Sequence, residues 1–333
     1  MKFKNKITLS IFVIAIMSAS QLARAENVVI NQAFQSLLYL PLYVAQEKGY
    51  FKEQGVEVKI TTGGGGAQSW AAVIGGSANF SIQDPVFVPK TIENGGDGLV
   101  VAAVQNGPSV FVLSKDPTML NSNLAHLQGK KVIVTPQPDT TWAYMSYLIR
   151  QQKLKDVKLV SVGVGNELPA LQANAADYAL TFEPLVSQGV AQQGFHVVYA
   201  FPDDPSWSPF AFSGLTTTRK YVESHPQAAQ GVVTAFEKAS RYIYSNFNDS
   251  VKVAQKYFPN LPEQVVRDAV KREVDVKGYP QNALVSKKSW DNAMNVALFA
   301  KNIKAYPSDS TNYERNIDTT LATKARAVID AEK

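Results

Sequence analysis

The chain of 333 residues contains no cysteine. That excludes disulfide staples, thiolate metal sites, thiol nucleophiles and the lipid-bearing cysteine of an exported lipoprotein. Histidine is nearly as scarce. His126, His196 and His225 are scattered, with no metal-ligand spacing. No Gly-x-Ser-x-Gly, His-Glu-x-x-His or dinucleotide-type glycine motif occurs, and no repeat, low-complexity tract or long Pro/Gly linker interrupts the chain. A surplus of one charge is missing too. Lys and Arg number 33 against 28 Asp and Glu, but residues 1–25 hold four of the basic residues and no acidic one. The remainder carries 29 against 28, so no basic face for nucleic acid is expected.

A bilayer-spanning apolar run is also lacking. Ile7 to Ala19 is mostly apolar but falls short of the about 20 residues that a span needs. Lys2, Lys4 and Lys6 precede it and Ala23-Arg24-Ala25 follows, so it reads as an export signal cleaved after Ala25. The expectation is a soluble, monomeric, periplasmic protein, long enough for two domains with separate cores.

What is present is an alternation of strands and helices. Val28 to Ile30 is a short apolar run. A helix is expected over about Leu38–Lys48, with Pro41 near its first turn and Gly49 as the left-handed stop. Val56, Val58 and Ile60 then alternate with Glu57 and Lys59 as a strand. Further strands are expected at Phe80–Ile82, Leu99–Val104, Lys131–Thr135, Val157–Val162, Tyr178–Phe182, His196–Phe201 and Phe210–Thr217. After Arg219 the chain is almost entirely helical. This rhythm predicts an α/β fold of two lobes, each with a largely parallel sheet. Residues 26–112 plus 215–333 form one discontinuous lobe and 113–214 the other. The two crossings, near Val110–Ser114 and Phe210–Thr217, act as a two-strand hinge.

In open α/β sheets ligands bind beyond the carboxyl ends of the strands. That rule selects the loops Asn31–Tyr39, Thr62–Trp70, Gln83–Asp84, Gln105–Ser109, Thr135–Trp142, Gly163–Glu167 and Phe182–Pro184. The candidate ligand-binding residues are therefore Gln35, Tyr39, Gly64, Gly65, Gly66, Gln83, Asp84, Asn106, Thr140, Thr141, Trp142 and Glu183, joined by Trp207 as an aromatic near an inter-domain segment. The glycine loop precedes a helix N-terminus, which makes an anion cradle, or else a plain turn. Thr140 and Thr141 are donors to a ligand, or ordinary N-caps. Glu183 accepts from a ligand N–H or pairs across the cleft, or serves only as a first-turn acid. Asp84, before Pro85, carries the same ambiguity. Together Trp142, Tyr144, Trp207, Phe210, Trp70, Phe34 and Tyr39 suggest a partly aromatic cleft, although each alone is more often core than ligand contact.

The segment Pro41-Leu42-Tyr43-Val44-Ala45-Gln46-Glu47-Lys48-Gly49-Tyr50-Phe51, continued by Gly55-Val56-Glu57-Val58, resembles the opening of one family. Ala71-Ala72-Val73-Ile74-Gly75-Gly76-Ser77-Ala78-Asn79 and Phe182-Glu183-Pro184 extend the likeness, with Asn79 where Asp is common. The family is that of the periplasmic solute-binding proteins of ABC importers, the nitrate/sulfonate/taurine and thiamine-pyrimidine group. The resemblance implies a two-lobed class II periplasmic binding-protein fold and no catalysis or cofactor. It also implies delivery of a small solute to an inner-membrane permease and its ATPase. By matching positions, Gln35–Tyr39, the glycine loop, Gln83, Thr140, Thr141 and Glu183 line the site. The glycine loop favours a sulfonate- or taurine-type anion. That anion is the favoured solute, and the alternative, which the aromatics and Glu183 favour, is a thiamine-precursor pyrimidine or another aromatic solute. A pyrimidine-synthase-like enzyme, which relies on a site histidine and a cysteine-rich segment, and a sensor lobe are the remoter alternatives.

Overall fold

The computed structural model describes residues 25–120 and 124–332. The expected export signal, Ala25 apart, lies outside them. Ten strands are present: β1 Glu26–Gln32, β2 Val56–Thr62, β3 Phe80–Gln83, β4 Leu99–Gln105, β5 Phe111–Ser114, β6 Lys131–Val134, β7 Lys158–Ser161, β8 Tyr178–Thr181, β9 His196–Ala200 and β10 Ser213–Thr217. They form two five-stranded sheets, ordered β2-β1-β3-β10-β4 and β7-β6-β8-β5-β9.

The two sheets repeat one plan. β1 runs parallel to both β2 and β3, and β6 runs parallel to both β7 and β8. Each crossing then delivers one antiparallel strand into the sheet it enters. β5 pairs antiparallel with β8 and β9, and β10 with β3 and β4. The chain passes between the sheets at 106–110 and again at 201–212. Both sheets are covered on two faces, so their inner strands read as continuous apolar runs. β4 is buried along its whole length. In β5, Phe111 and Leu113 join one apolar cluster while Val112 joins the other, as the two-residue period of a strand requires.

Local sequence explains the elements around the future site. β2 alternates buried Val56 and Val58 with exposed Glu57 and Lys59. Gly49 holds φ +74°, a left-handed turn that lets the helix Leu40–Glu47 hand over to Tyr50–Glu53. The glycine-loop helix starts at Gly66 (Gly66–Ile74), earlier than its first side-chain helix former suggests.

The C-terminal helices are shared between the lobes. Pro226–Ser245 packs on Leu40–Glu47 and on Thr319–Ala331, beside the first sheet. Glu263–Asp275 also packs on Leu185–Gln193, and Lys287–Phe299 on Thr140–Gln151, both beside the second sheet. No helix among the described residues is long and apolar enough to cross a membrane.

Candidate functional site

The carboxyl ends of β1, β2 and β3 face those of β6, β7 and β8 across a narrow cleft. The cleft encloses about 370 Å³ including its mouth. The first sheet contributes Ala33, Phe34 and Tyr39 after β1, Gly66 after β2, Gln83 and Asp84 at the end of β3, and Phe212 and Ser213 at the start of β10. The second contributes Thr135, Asp139, Thr140 and Thr141 after β6, Val164 after β7 and Phe182 after β8.

Two contacts cross the cleft. The Phe34 and Phe182 rings stack across it, with centroids 4.9 Å apart and planes 20° from parallel. The Thr140 hydroxyl donates to Asp84 Oδ2. Thr140 and Thr141 are not the cap of their helix, as the sequence allowed. Asp139 holds the N-cap position, and Thr141 Oγ1 accepts from the Thr135 amide at 2.8 Å.

The acids around the cleft follow a pattern. Helices begin there because each parallel strand turns into one at its carboxyl end, and a helix N-terminus attracts negative charge. Each of four such termini carries a carboxylate of the protein. Asp84 Oδ1 accepts from the Val86 amide at 3.0 Å before the helix Phe87–Glu93. Asp139 precedes Thr140–Gln151. Glu167, fully buried, opens Glu167–Gln172 and accepts from the Gly165 amide at 2.7 Å. Glu183 accepts from the Ser187 amide at 3.0 Å in the first turn of Leu185–Gln193. The glycine-loop helix has no acid of its own, yet Asp139 Oδ1 would lie 3.1 Å from a Cβ built on Gly66. The anion cradle is thus approached by a carboxylate from the opposite lobe.

These acids hold their protons more tightly than usual. Burial raises Asp84 to about 6, against the pull of its bonds from Thr140 and Val86. Burial raises Asp139 to about 7, helped by the negative charges of Asp84 and Glu167. Burial also lifts Glu167 to about 7. The cleft lining contains no lysine, arginine or histidine.

Of the residues selected from sequence, the cleft gathers Tyr39, Gly66, Gln83, Asp84, Thr140 and Thr141. The others sit elsewhere. Gln35 is exposed and donates to the Tyr257 carbonyl. Gly64, at φ +88°, and Gly65 lie back from the lining in the loop. Asn106 is in the first crossing segment, bonded by its amide to the Gly278 carbonyl. Trp142 packs, half-buried, against the main core. Trp207 is buried among Tyr144, Tyr147 and Phe201, at 4.5, 5.3 and 5.0 Å. Glu183 lies behind the cleft, where Arg272 Nε of the helix Glu263–Asp275 donates to its carboxylate at 2.6 Å. Ser36, from the first lobe, donates to the Glu183 backbone carbonyl at 2.6 Å. Asp139, Phe182, Phe212 and Ser213 were not selected from sequence. For Asp139 the signal was available, because an Asp directly before a helix is a favoured N-cap.

The family model described as NMT1/THI5 like matches residues 38–249. YtlA of Bacillus subtilis (strain 168) is 21% identical over 290 residues, covering 85% of this chain and 86% of that protein. Among solved structures, the periplasmic aliphatic sulphonate binding protein SsuA from Escherichia coli is 18% identical with a TM-score of 0.67, over 83% of this chain and 87% of that one. The periplasmic nitrate-binding protein NrtA from Synechocystis PCC 6803 is 13% identical with a TM-score of 0.74, over 92% and 90%. The fold is that of the two-lobed periplasmic binding proteins.

Proposed function

From the premise that this chain belongs to the NMT1/THI5-like family, we propose that it is the periplasmic solute-binding component of an ABC importer. It closes its lobes on one small solute by hinge motion and presents the closed form to a permease. It binds without turning its solute over, and it works as a monomer.

The solute is flat, and it carries N–H groups or a positive charge. One observation carries this reading: a lining with four aromatic residues, Phe34, Tyr39, Phe182 and Phe212, and two carboxylates, Asp84 and Asp139, but no basic residue. A ring stacks on aromatic faces once the Phe34–Phe182 pair parts to admit it, and a cation or N–H donor answers the carboxylates. A thiamine-precursor pyrimidine has this chemistry. A simple sulfonate or nitrate lacks a partner in such a lining, because the helix N-termini that would hold it already face protein carboxylates. The glycine loop supports the second reading, a sulfonate or taurine-type anion. That reading requires Asp139 to withdraw from Gly66 when the solute enters.

Titration calorimetry with taurine, alkanesulfonates, nitrate and a formylaminopyrimidine separates the two. Heat from the ring compound alone is the expected result. Binding confined to nitrate or alkanesulfonates would sink the reading, and turnover of any compound would replace transport with catalysis.

A further inference from the structure

We propose that Gln83 is a specificity-determining residue that reads a hydrogen-bond acceptor on the solute, so that the solute presents an acceptor beside an N–H group, as the edge of a primary carboxamide does. The inference rests on the reading of the cleft as an aromatic, acidic site.

Gln83 ends β3 and lines the cleft while being only 1% exposed. Its Oε1 accepts from Thr216 Oγ1 at 3.2 Å. Thr216 Oγ1 accepts from the Ser81 hydroxyl at 2.8 Å, and its one proton is shared between Gln83 Oε1 and the Ser81 carbonyl, 3.1 Å away. The amide is therefore anchored from the sheet side by neighbouring strands β3 and β10. Its Nε2 has no hydrogen-bond partner in the protein. Nearby acceptors do not take it. Asp84, the next residue, accepts from the Val86 amide and from Thr140 and not from Gln83. Buried amide N–H groups without partners are uncommon, because desolvation is not repaid. Gln83 lines the cleft, which is where an acceptor for this N–H can enter.

The cleft thus presents a fixed donor beside fixed acceptors. A solute with donors alone, such as an amidinium, satisfies Asp84 and Asp139 and leaves Gln83 Nε2 unanswered. A solute with an acceptor next to its N–H satisfies both. Sites built around such a buried group reject analogues that lack its complement more strongly than apolar pockets reject a change of size.

Benzamide and benzamidine test this. They share ring and shape, and differ in that one presents C=O where the other presents a second N–H donor. Their dissociation constants are measured by calorimetry for the intact protein, Gln83→Met and Gln83→Glu, each variant checked for native folding by circular dichroism. Gln83→Glu preserves shape should Gln83→Met fail to fold. The expected result is that each variant weakens benzamide by about tenfold. Benzamidine should be unchanged by Gln83→Met and tightened by Gln83→Glu. Equal losses for both probes, or no loss for benzamide, overturns the role of Gln83 alone. Failure of the unsubstituted protein to bind either probe overturns the aromatic, acidic reading of the cleft, and the role of Gln83 with it.

Discussion

The hydroxyl of Thr140 donates to the carboxylate of Asp84 across the two lobes. Thr140 sits in the first turn of a helix that follows β6 of one sheet, and Asp84 follows β3 of the other. The bond exists only while the lobes are together. It also opposes the burial that pushes Asp84 up to about 6.

Replacing Thr140 by Val keeps the shape of the side chain and removes the donor. Hydrogen bonds to charged groups contribute about 1.5–3 kcal/mol. The Thr140→Val protein is therefore expected to favour the open form and to bind its solute about tenfold or more weakly. While the lobes are together, the Asp84 carboxyl should titrate higher than in the parent. Carbon-detected NMR titration of Asp84 and small-angle scattering of the unliganded protein check the two halves. An unchanged Asp84 titration with an unchanged radius of gyration would remove Thr140 from the latch.

A second cross-lobe relationship lies behind the cleft. Glu183 is fully buried, and Arg272 supplies the cation beside it while also lying over the Phe111 ring at 5.5 Å. Burial raises the Glu183 pKa, and the Arg272 charge is the foremost influence holding it down. Arg272→Ala leaves a buried carboxylate without its partner, an effect of about 3 kcal/mol or more at pH 8. Glu183 escapes by taking a proton, so the loss should shrink toward pH 5. Urea unfolding of parent and variant at both pH values measures this. A loss of stability equal at pH 5 and pH 8 would mean that Arg272 acts through packing on Phe111 and not through charge.

Much of this architecture is legible in the chain before folding. The stop at Gly49 follows from a helix that must turn left-handed, and β2 follows from strict alternation at Val56, Val58 and Ile60. The rule that sites lie beyond strand ends finds the loops carrying Tyr39, Gly66, Gln83, Asp84, Thr140 and Thr141. The helix Phe87–Glu93 is less visible because Pro89 reads as a breaker, yet it occupies the first turn, where its missing N–H has no intrahelical partner. The stack of Phe34 on Phe182 and the approach of Asp139 to Gly66 are invisible in sequence for a different reason. Each joins residues that meet only when two separately built sheets face each other. Trp207 shows the converse. Its type and place suggest a ligand contact, but Tyr144, Phe201 and Phe210 surround it with enough apolar surface to keep it in the core.

The crowding of acids sets the pH dependence of the unliganded protein. Asp84 at about 6, Asp139 at about 7, Glu167 at about 7 and Glu273, buried in the helix Glu263–Asp275 where it accepts from Gln105, at about 8 all hold protons more tightly folded than unfolded. Unfolded Asp and Glu titrate near 4. Between that value and the folded ones, the native state binds more protons, so stability falls as pH rises. The contribution is complete below about pH 4 and is lost as pH climbs through 6 to 8. The protein should therefore melt higher at pH 5 than at pH 8, the reverse of a protein held by paired carboxylates. Asp139→Asn isolates the cleft's share. It removes a charge that Asp84 and Glu167 both oppose, so it should raise the melting temperature at pH 8 by about 2–4 °C for each kcal/mol of repulsion relieved, and leave pH 5 nearly unchanged. The same variant should bind a cationic ring more weakly, since the repelling charge is also the one that attracts the solute. Differential scanning calorimetry across pH 4–9, on the parent and Asp139→Asn, reads the first effect. A parent protein that is most stable near pH 8 would show that these carboxylates are paired in solution and that the cleft is not the acidic site its lining describes.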